Sequence, residues 1–173
     1  MDFITISAES SIEVKIKWAD ACYKKYKNAF LDNVEIQRLL EIFHEASSES
    51  VKEMNEIGMV DECRKCEEEE GGACCGKGIE NKYSGTLLLI NLLLDAKLPA
   101  KAPDSKSCFF LGAKGCSLTA RHVICVNYVC KKITDRIPGH ALNRLREKEG
   151  TELDTLFILN EKVKSVLRSI DEC

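Results

Sequence analysis

The chain has 173 residues, 45% of them hydrophobic and 31% charged, with 25 basic against 28 acidic side chains and a formal net charge of −3. That length suffices for one self-supporting domain that removes about 70% of its unfolded surface from water, and the balance of apolar and charged residues excludes wholesale disorder. A slightly acidic total offers no electrostatic footprint for a phosphate backbone, so nucleic acid is not an expected partner.

Ser10 and Glu13 have the spacing of a capping box, and Ile12, Ile16, Ala19, Tyr23, Tyr26 and Phe30 follow one helical face, which predicts a first helix over 11–30. A strand is the alternative for its first few residues, since Ile12, Val14, Ile16 and Trp18 alternate, but that period fails beyond Trp18. Lys15, Lys17, Lys24, Lys25 and Lys27 read as its solvated side. Asp32 and Glu35 repeat the cap spacing, and Ile36, Leu39, Leu40, Phe43, Val51, Met54 and Ile57 predict a second helix ending near Gly58, with an interruption possible at Ser47, Ser48 and Ser50.

Ser84 is placed to cap a third helix through 87–94, apolar all round and therefore central to the core, with Pro99 and Pro103 opening a loop after it. This longest apolar run is broken by Asn91 and falls far short of the roughly 20 residues needed to span a bilayer. The mixed polar start lacks the basic-then-apolar pattern of a secretory leader, so the expected setting is the cytoplasm, with no membrane contact. Gly112-Ala113-Lys114-Gly115 suits a turn with positive φ and predicts a short hairpin between Phe109-Phe110-Leu111 and Cys116-Ser117-Leu118, which draws Cys108 toward Cys116. Pro138 and Gly139 precede a short helix that stops at Gly150. Thr151 and Asp154 then start a long amphipathic one through Leu153, Leu156, Phe157, Val163, Val166, Leu167 and Ile170, able to pack on the first two helices. The expected fold is a single, mainly α domain over 1–173. Helical segments over 1–60 and 138–173 form a bundle framework around an irregular cysteine-rich middle over 61–137, where 67–72 reads as a brief acidic, glycine-ended loop.

Ten cysteines are the outlying feature, and eight of them are Cys63, Cys66, Cys74, Cys75, Cys108, Cys116, Cys125 and Cys130. In a reducing compartment such a grouping favours metal ligation over disulfides. The C-x2-C unit at Cys63 and Cys66 lets two thiolates of one tight turn approach the same ion to about 2.3 Å each, leaving two positions for distant ligands. Eight thiols supply two complete four-ligand sites, and the adjacent Cys74 and Cys75 are suited to serving different centres. Cys22 reads as a small buried residue and Cys173 as a free terminal thiol.

The ordered set C-x2-C, CC, then Cys108 with Phe110-Leu111, Gly115-Cys116-Ser117-Leu118, Arg121, Cys125 and Cys130 resembles the YkgJ-like cysteine-cluster family, a zinc- or iron-chelating domain. The gap before the CC pair is wider than usual in that family, and His122 stands where it usually has proline. The resemblance implies metal binding by the eight cysteines and supplies no reaction.

A structural zinc contributes about 10–16 kcal/mol of apparent binding free energy and a disulfide about 2–4, so one metal rivals the stability of the whole domain. Four thiolates on Zn²⁺ leave a net charge of about −2, which Arg64, Lys65, Lys77, Lys114, Arg121, Lys131 and Lys132 are near enough in sequence to offset. Zinc is the expected ion, with an iron-sulfur cluster and a redox or sensor role as the alternative, although the C-x2-C-x2-C spacing of ferredoxins is absent. An extracytoplasmic disulfide protein is the third reading. His44, His122 and His140 are the only histidines; His122, inside the cluster, is an alternative ligand. No metalloprotease, phosphate-loop or nucleophile-elbow motif occurs, so no catalytic residue is assigned, and the protein partner, if any, is unknown.

Overall fold

Apolar residues at helical spacing and a run of local caps organise the N-terminal half. The computed structural model describes residues 6–70, 74–103, 105–112 and 115–170. Helix α1, Ile12–Leu31, buries Ile12, Ile16, Ala19 and Phe30 of the predicted face, leaves Tyr23 and Tyr26 half-buried, and adds Trp18 and Cys22. Its cap sits one residue later than predicted, at Ser11, because the Ser10 hydroxyl is engaged with the Ser7 N–H at 2.9 Å. One lysine of the supposed solvated side is misread. Lys15 is only 2% exposed, and its ammonium donates to the Ala8 and Asn81 carbonyls at 2.8 and 2.9 Å, with loss of water lowering its pKa.

Helix α2, Val34–Glu56, is capped by Asn33, whose side-chain oxygen accepts from the Glu35 and Ile36 N–H groups, while the expected cap, Asp32, closes α1 instead. No interruption occurs at the serines. Ser47 and Ser50 are buried, and Val51, placed by the sequence on the apolar face, is exposed. Gly58, at φ +75, supplies the left-handed turn that only glycine adopts without strain. Helix α3, Met59–Glu70, follows at once. The predicted acidic loop is thus helical through Glu70, and its glycines lie outside the described residues. Glutamate is a good helix former, and the ion pairs Asp61–Arg64 and Glu62–Lys65 support the turn before the glutamate run.

Helix α4, Gly85–Leu93, is capped by Ser84, whose hydroxyl accepts the Leu87 N–H at 3.1 Å, and it buries residues all round its axis. It packs chiefly on α1. A side chain on Gly85 would collide with Ile6 and the Trp18 ring, so close approach of the two helices depends on that glycine. The hairpin forms in shorter register than its flanks allow: β1, Leu111–Gly112, pairs antiparallel with β2, Gly115–Cys116, matching Leu111 to Cys116. Ser117 N–H to Phe110 carbonyl, at 2.9 Å, extends the pairing by one bond.

Two short helices, α5 (Val123–Asn127) and α6 (Lys131–Arg136), occupy part of the stretch expected to be irregular. The C-terminal reading needs the largest correction. A single helix, α7, runs Gly139–Ile170 through Gly150 without a stop. Glycine inside a helix costs about 1 kcal/mol relative to alanine, which the long packing of α7 on α2 outweighs. Thr151 is not a cap, since its hydroxyl bonds back to the Glu147 carbonyl at 3.2 Å. On this helix Leu159 is buried, whereas Phe157 is 66% exposed. The outcome is a mainly helical fold with a two-stranded hairpin. A large core joins α1, α2, α4, α7 and the Phe109-Phe110 segment, and a smaller one gathers Met59, Ile133, Ile137, Ala141 and Leu145. Among the described residues no helix is long and apolar enough to cross a membrane.

Candidate metal centre

Cys63 and Cys66 lie on α3 rather than in an open turn; a spacing of three along a helix still sets them on one face. α3 is docked on α6 by the Glu62–Arg136 ion pair, and the Lys132 ammonium donates to the Cys66 sulfur at 3.5 Å. Cys130 is the N-cap residue of α6 and packs beside the smaller core. Crowding about its sulfur raises the Cys63 thiol, and negative charge on Cys130, Cys74, Cys66 and Glu62 raises it further. Cys63 and Cys66 therefore lie on the helix that is docked against the one Cys130 caps.

A second neighbourhood is built on the hairpin. The Cys108 N–H donates to the Cys75 carbonyl at 2.6 Å, Gly76 bridges Ser107 in antiparallel fashion, and the Lys77 N–H donates to the Lys106 carbonyl at 3.1 Å. This small ladder ties Cys75 to Cys108, and the hairpin register sets Cys116 opposite Leu111. Burial pushes the Cys108 thiol up to about 11, with Glu80, Cys116 and Cys125 adding to the shift and a backbone bond at Phe110 opposing it. Cys116 is exposed as a whole residue, yet the atoms around its sulfur raise that thiol too, against the pull of Arg121. Cys125, on α5, accepts a bond from the Tyr83 hydroxyl at 3.8 Å. Burial raises the Tyr83 phenol, and the charges of Cys116 and Cys125 raise it more.

Of the eight predicted cysteines, Cys63 and Cys66 lie on the helix docked against the one that Cys130 caps, and Cys75 is bonded through the backbone to Cys108. Among the described residues no three Cys, His, Asp or Glu side chains converge tightly enough to hold a metal ion, and no disulfide joins the nine described cysteines. Ionised thiols brought close together repel one another, and a bound cation would offset that repulsion. Thiolate sulfur as a donor suits zinc or an iron-sulfur cluster.

No protein-family model, curated protein or solved structure matches this chain. The remaining predicted participants are therefore placed from the geometry alone. His122 caps α5, its Nδ1 accepting the Ile124 N–H at 3.2 Å, and loss of water followed by the Lys82 charge lowers its pKa. Of the basic residues proposed to offset thiolate charge, Lys132 reaches a sulfur, whereas Arg64, Lys65 and Lys131 pair with Asp61, Glu62 and Asp135. Arg121 is held by Glu152, Lys77 is exposed, and Lys114 and Cys173 lie outside the described residues. Cys22 is fully buried in the large core. Sequence reasoning missed Tyr83: nothing in the chain marks a tyrosine that meets a cysteine 42 positions away.

Proposed function

We propose that this protein chelates zinc through two four-thiolate centres, Cys63, Cys66, Cys74 and Cys130 in one, Cys75, Cys108, Cys116 and Cys125 in the other, in a reducing cytoplasm and without a nucleic-acid or membrane partner. The observation that supports this reading is that folding docks the helix of Cys63 and Cys66 on the one that Cys130 caps and bonds Cys75 through the backbone to Cys108, next to the hairpin that carries Cys116. A closed four-sulfur zinc leaves no open coordination position, so its chemistry is that of a scaffold. Around it, Lys132 offsets thiolate charge at Cys66, the Tyr83 hydroxyl donates to Cys125, and the ladder of Gly76 with Ser107 fixes the approach of Cys75.

Anaerobic purification followed by metal analysis and a visible spectrum tests the proposal. Two equivalents of zinc and no colour are expected, and chelation should accelerate amide exchange over α3 and the hairpin far more than over α2 and α7. Stoichiometric iron and sulfide with brown absorbance would replace zinc by the iron-sulfur alternative. Native reduced material without any metal, ordered throughout the cysteine region, would end both readings.

A further inference from the structure

The short ladder ahead of the hairpin sets two cysteines face to face. Gly76 and Ser107 form an antiparallel bridge, and a main-chain bond flanks it on each side, Lys77 N–H to the Lys106 carbonyl at 3.1 Å and Cys108 N–H to the Cys75 carbonyl at 2.6 Å. Bonds on both sides of one bridge leave a single register, in which Cys75 stands directly opposite Cys108. Opposite residues of an antiparallel pair project from the same face, with Cα atoms about 5.5 Å apart at a hydrogen-bonded position. A disulfide spans Cα separations of about 4.4–6.8 Å, so the backbone already stands within its reach. Its Cβ atoms must still close to about 3.8 Å, nearer than a cross-strand pair holds them. The bridge is isolated from the named strands, so the closure distorts only its own few bonds.

The two members of the pair differ in access. Cys75 is exposed, whereas Cys108 is 6% exposed and sits with Phe109, Phe110 and Leu118 in the large core. A reagent in solution therefore meets Cys75 first, and Cys108 is reached from Cys75 across the ladder. Other cysteines are placed less well for bonding to one another. Cys116 faces Leu111 in the hairpin, and Cys63 and Cys66 are three apart on α3, where continuous helical bonds hold Cβ atoms about 5–6 Å apart.

We propose that Cys75 and Cys108 are a thiol–disulfide exchange pair, Cys75 the attacking thiol and Cys108 the resolving one, with a small-molecule disulfide as reaction partner. The Cys75 thiolate attacks one sulfur of that disulfide, forming a mixed disulfide and expelling one thiolate. The Cys108 thiolate then attacks the Cys75 sulfur, closes the Cys75–Cys108 bond and expels the second thiolate. Two protein thiols give up two protons and two electrons, and the small disulfide becomes two thiols. A disulfide closed across a pair that the ladder holds too far apart is readily reduced, so the exchange runs in both directions. The pair is fixed by backbone register and burial and stands whether or not zinc binds. Where zinc is held by these thiolates, the same bond removes two of its ligands.

The test treats the reduced full-length chain with oxidised glutathione, as purified and again with a zinc chelator, then quenches, digests without reduction and maps the bonds by mass spectrometry. The first bond to form should join Cys75 to Cys108, and excess reduced glutathione should reopen it. Cys108→Ser should stop at glutathione attached to Cys75, and Cys75→Ser should give neither the bond nor an adduct on Cys108. The wild-type map decides the matter even where a serine variant does not fold. Oxidation that joins other cysteines first, a bond that reduced glutathione does not reopen, or no Cys75–Cys108 bond under either condition would overturn the proposal. Zinc content, read on the same samples, judges the metal reading separately: zinc-free protein that forms this bond ends that reading and upholds the exchange pair.

Discussion

The Tyr83 hydroxyl donates to the Cys125 sulfur at 3.8 Å while accepting the His122 N–H at 3.1 Å, so one buried side chain joins the start of α5 to the core. Tyr83 is 1% exposed, and its ring lies 5.2 Å from that of Phe110. Tyr83→Phe keeps the ring and removes both bonds, leaving the His122 N–H without its acceptor. The expected loss is about 1–3 kcal/mol, measured as a lower urea midpoint at unchanged slope. An unchanged midpoint would show that the hydroxyl contributes nothing.

Asn91, fully buried in the middle of α4, donates to the Leu87 and Ala120 carbonyls and accepts the Ala120 N–H, the last at 3.0 Å. Asn91→Leu fills similar space with a better helix former and still strips Ala120 of both partners. A destabilisation of about 2–4 kcal/mol follows from two buried main-chain groups left unmatched. Were the variant more stable than the parent, helix propensity and apolar burial would outrank that bonding.

Arg121 stands 3.3 Å from both oxygens of Glu152, a carboxylate with no exposed surface, and its other nitrogen meets the Met54 sulfur at 3.7 Å. Removing one partner of a buried pair leaves an uncompensated charge, so Arg121→Met should cost about 3–5 kcal/mol. Adding Glu152→Leu to that variant should recover most of the loss. Equal melting of the single and double variants would place the cost in packing instead.

Glu149 is buried on α7, with one oxygen 2.5 Å from Arg146 and the other without a hydrogen-bond partner. Burial raises its pKa above the ordinary 4.5, against the pull of Arg146 and Arg121, and Glu152 adds to the rise. A carboxyl with a raised folded-state pKa stabilises fully below its unfolded value, and that contribution is lost as pH climbs through the folded one. The lowered carboxyls Glu49, Glu62 and Glu161 act in the opposite sense and only as pH falls below 4.5. His122, whose pKa is lowered by loss of water and by Lys82, is common to both proteins and drops out of the difference. Glu149→Gln should therefore gain stability relative to the parent as pH rises from about 5 to 7, read as the difference between two melting series. A difference independent of pH would show that Glu149 ionises normally.

Much of the helical pattern was legible because it rests on near neighbours in the chain. Ser84 capping α4, the apolar face of α1 from Ile12 to Phe30 and the glycine turn at Gly58 all depend on contacts within a few residues. Where local signals compete, the reading slipped by one residue, as at Ser11 and Asn33, each of which displaced a neighbouring cap candidate. Gly150 carried a genuine local stop signal that long-range packing on α2 overrode. Lys15 looked like any other helical lysine because its carbonyl acceptors, Ala8 and Asn81, come from a preceding turn and a distant one.

Composition and spacing alone determined that this is a mainly helical chain with eight of its ten cysteines between Cys63 and Cys130 and a hairpin between Cys108 and Cys116, since residue type and short-range periodicity carry that information. Only the tertiary structure decided which cysteines are neighbours. Bonding Cys75 to Cys108 through a backbone ladder, and docking the helix of Cys63 and Cys66 on the one that Cys130 caps, takes contacts between segments more than 30 residues apart, and no local preference encodes them.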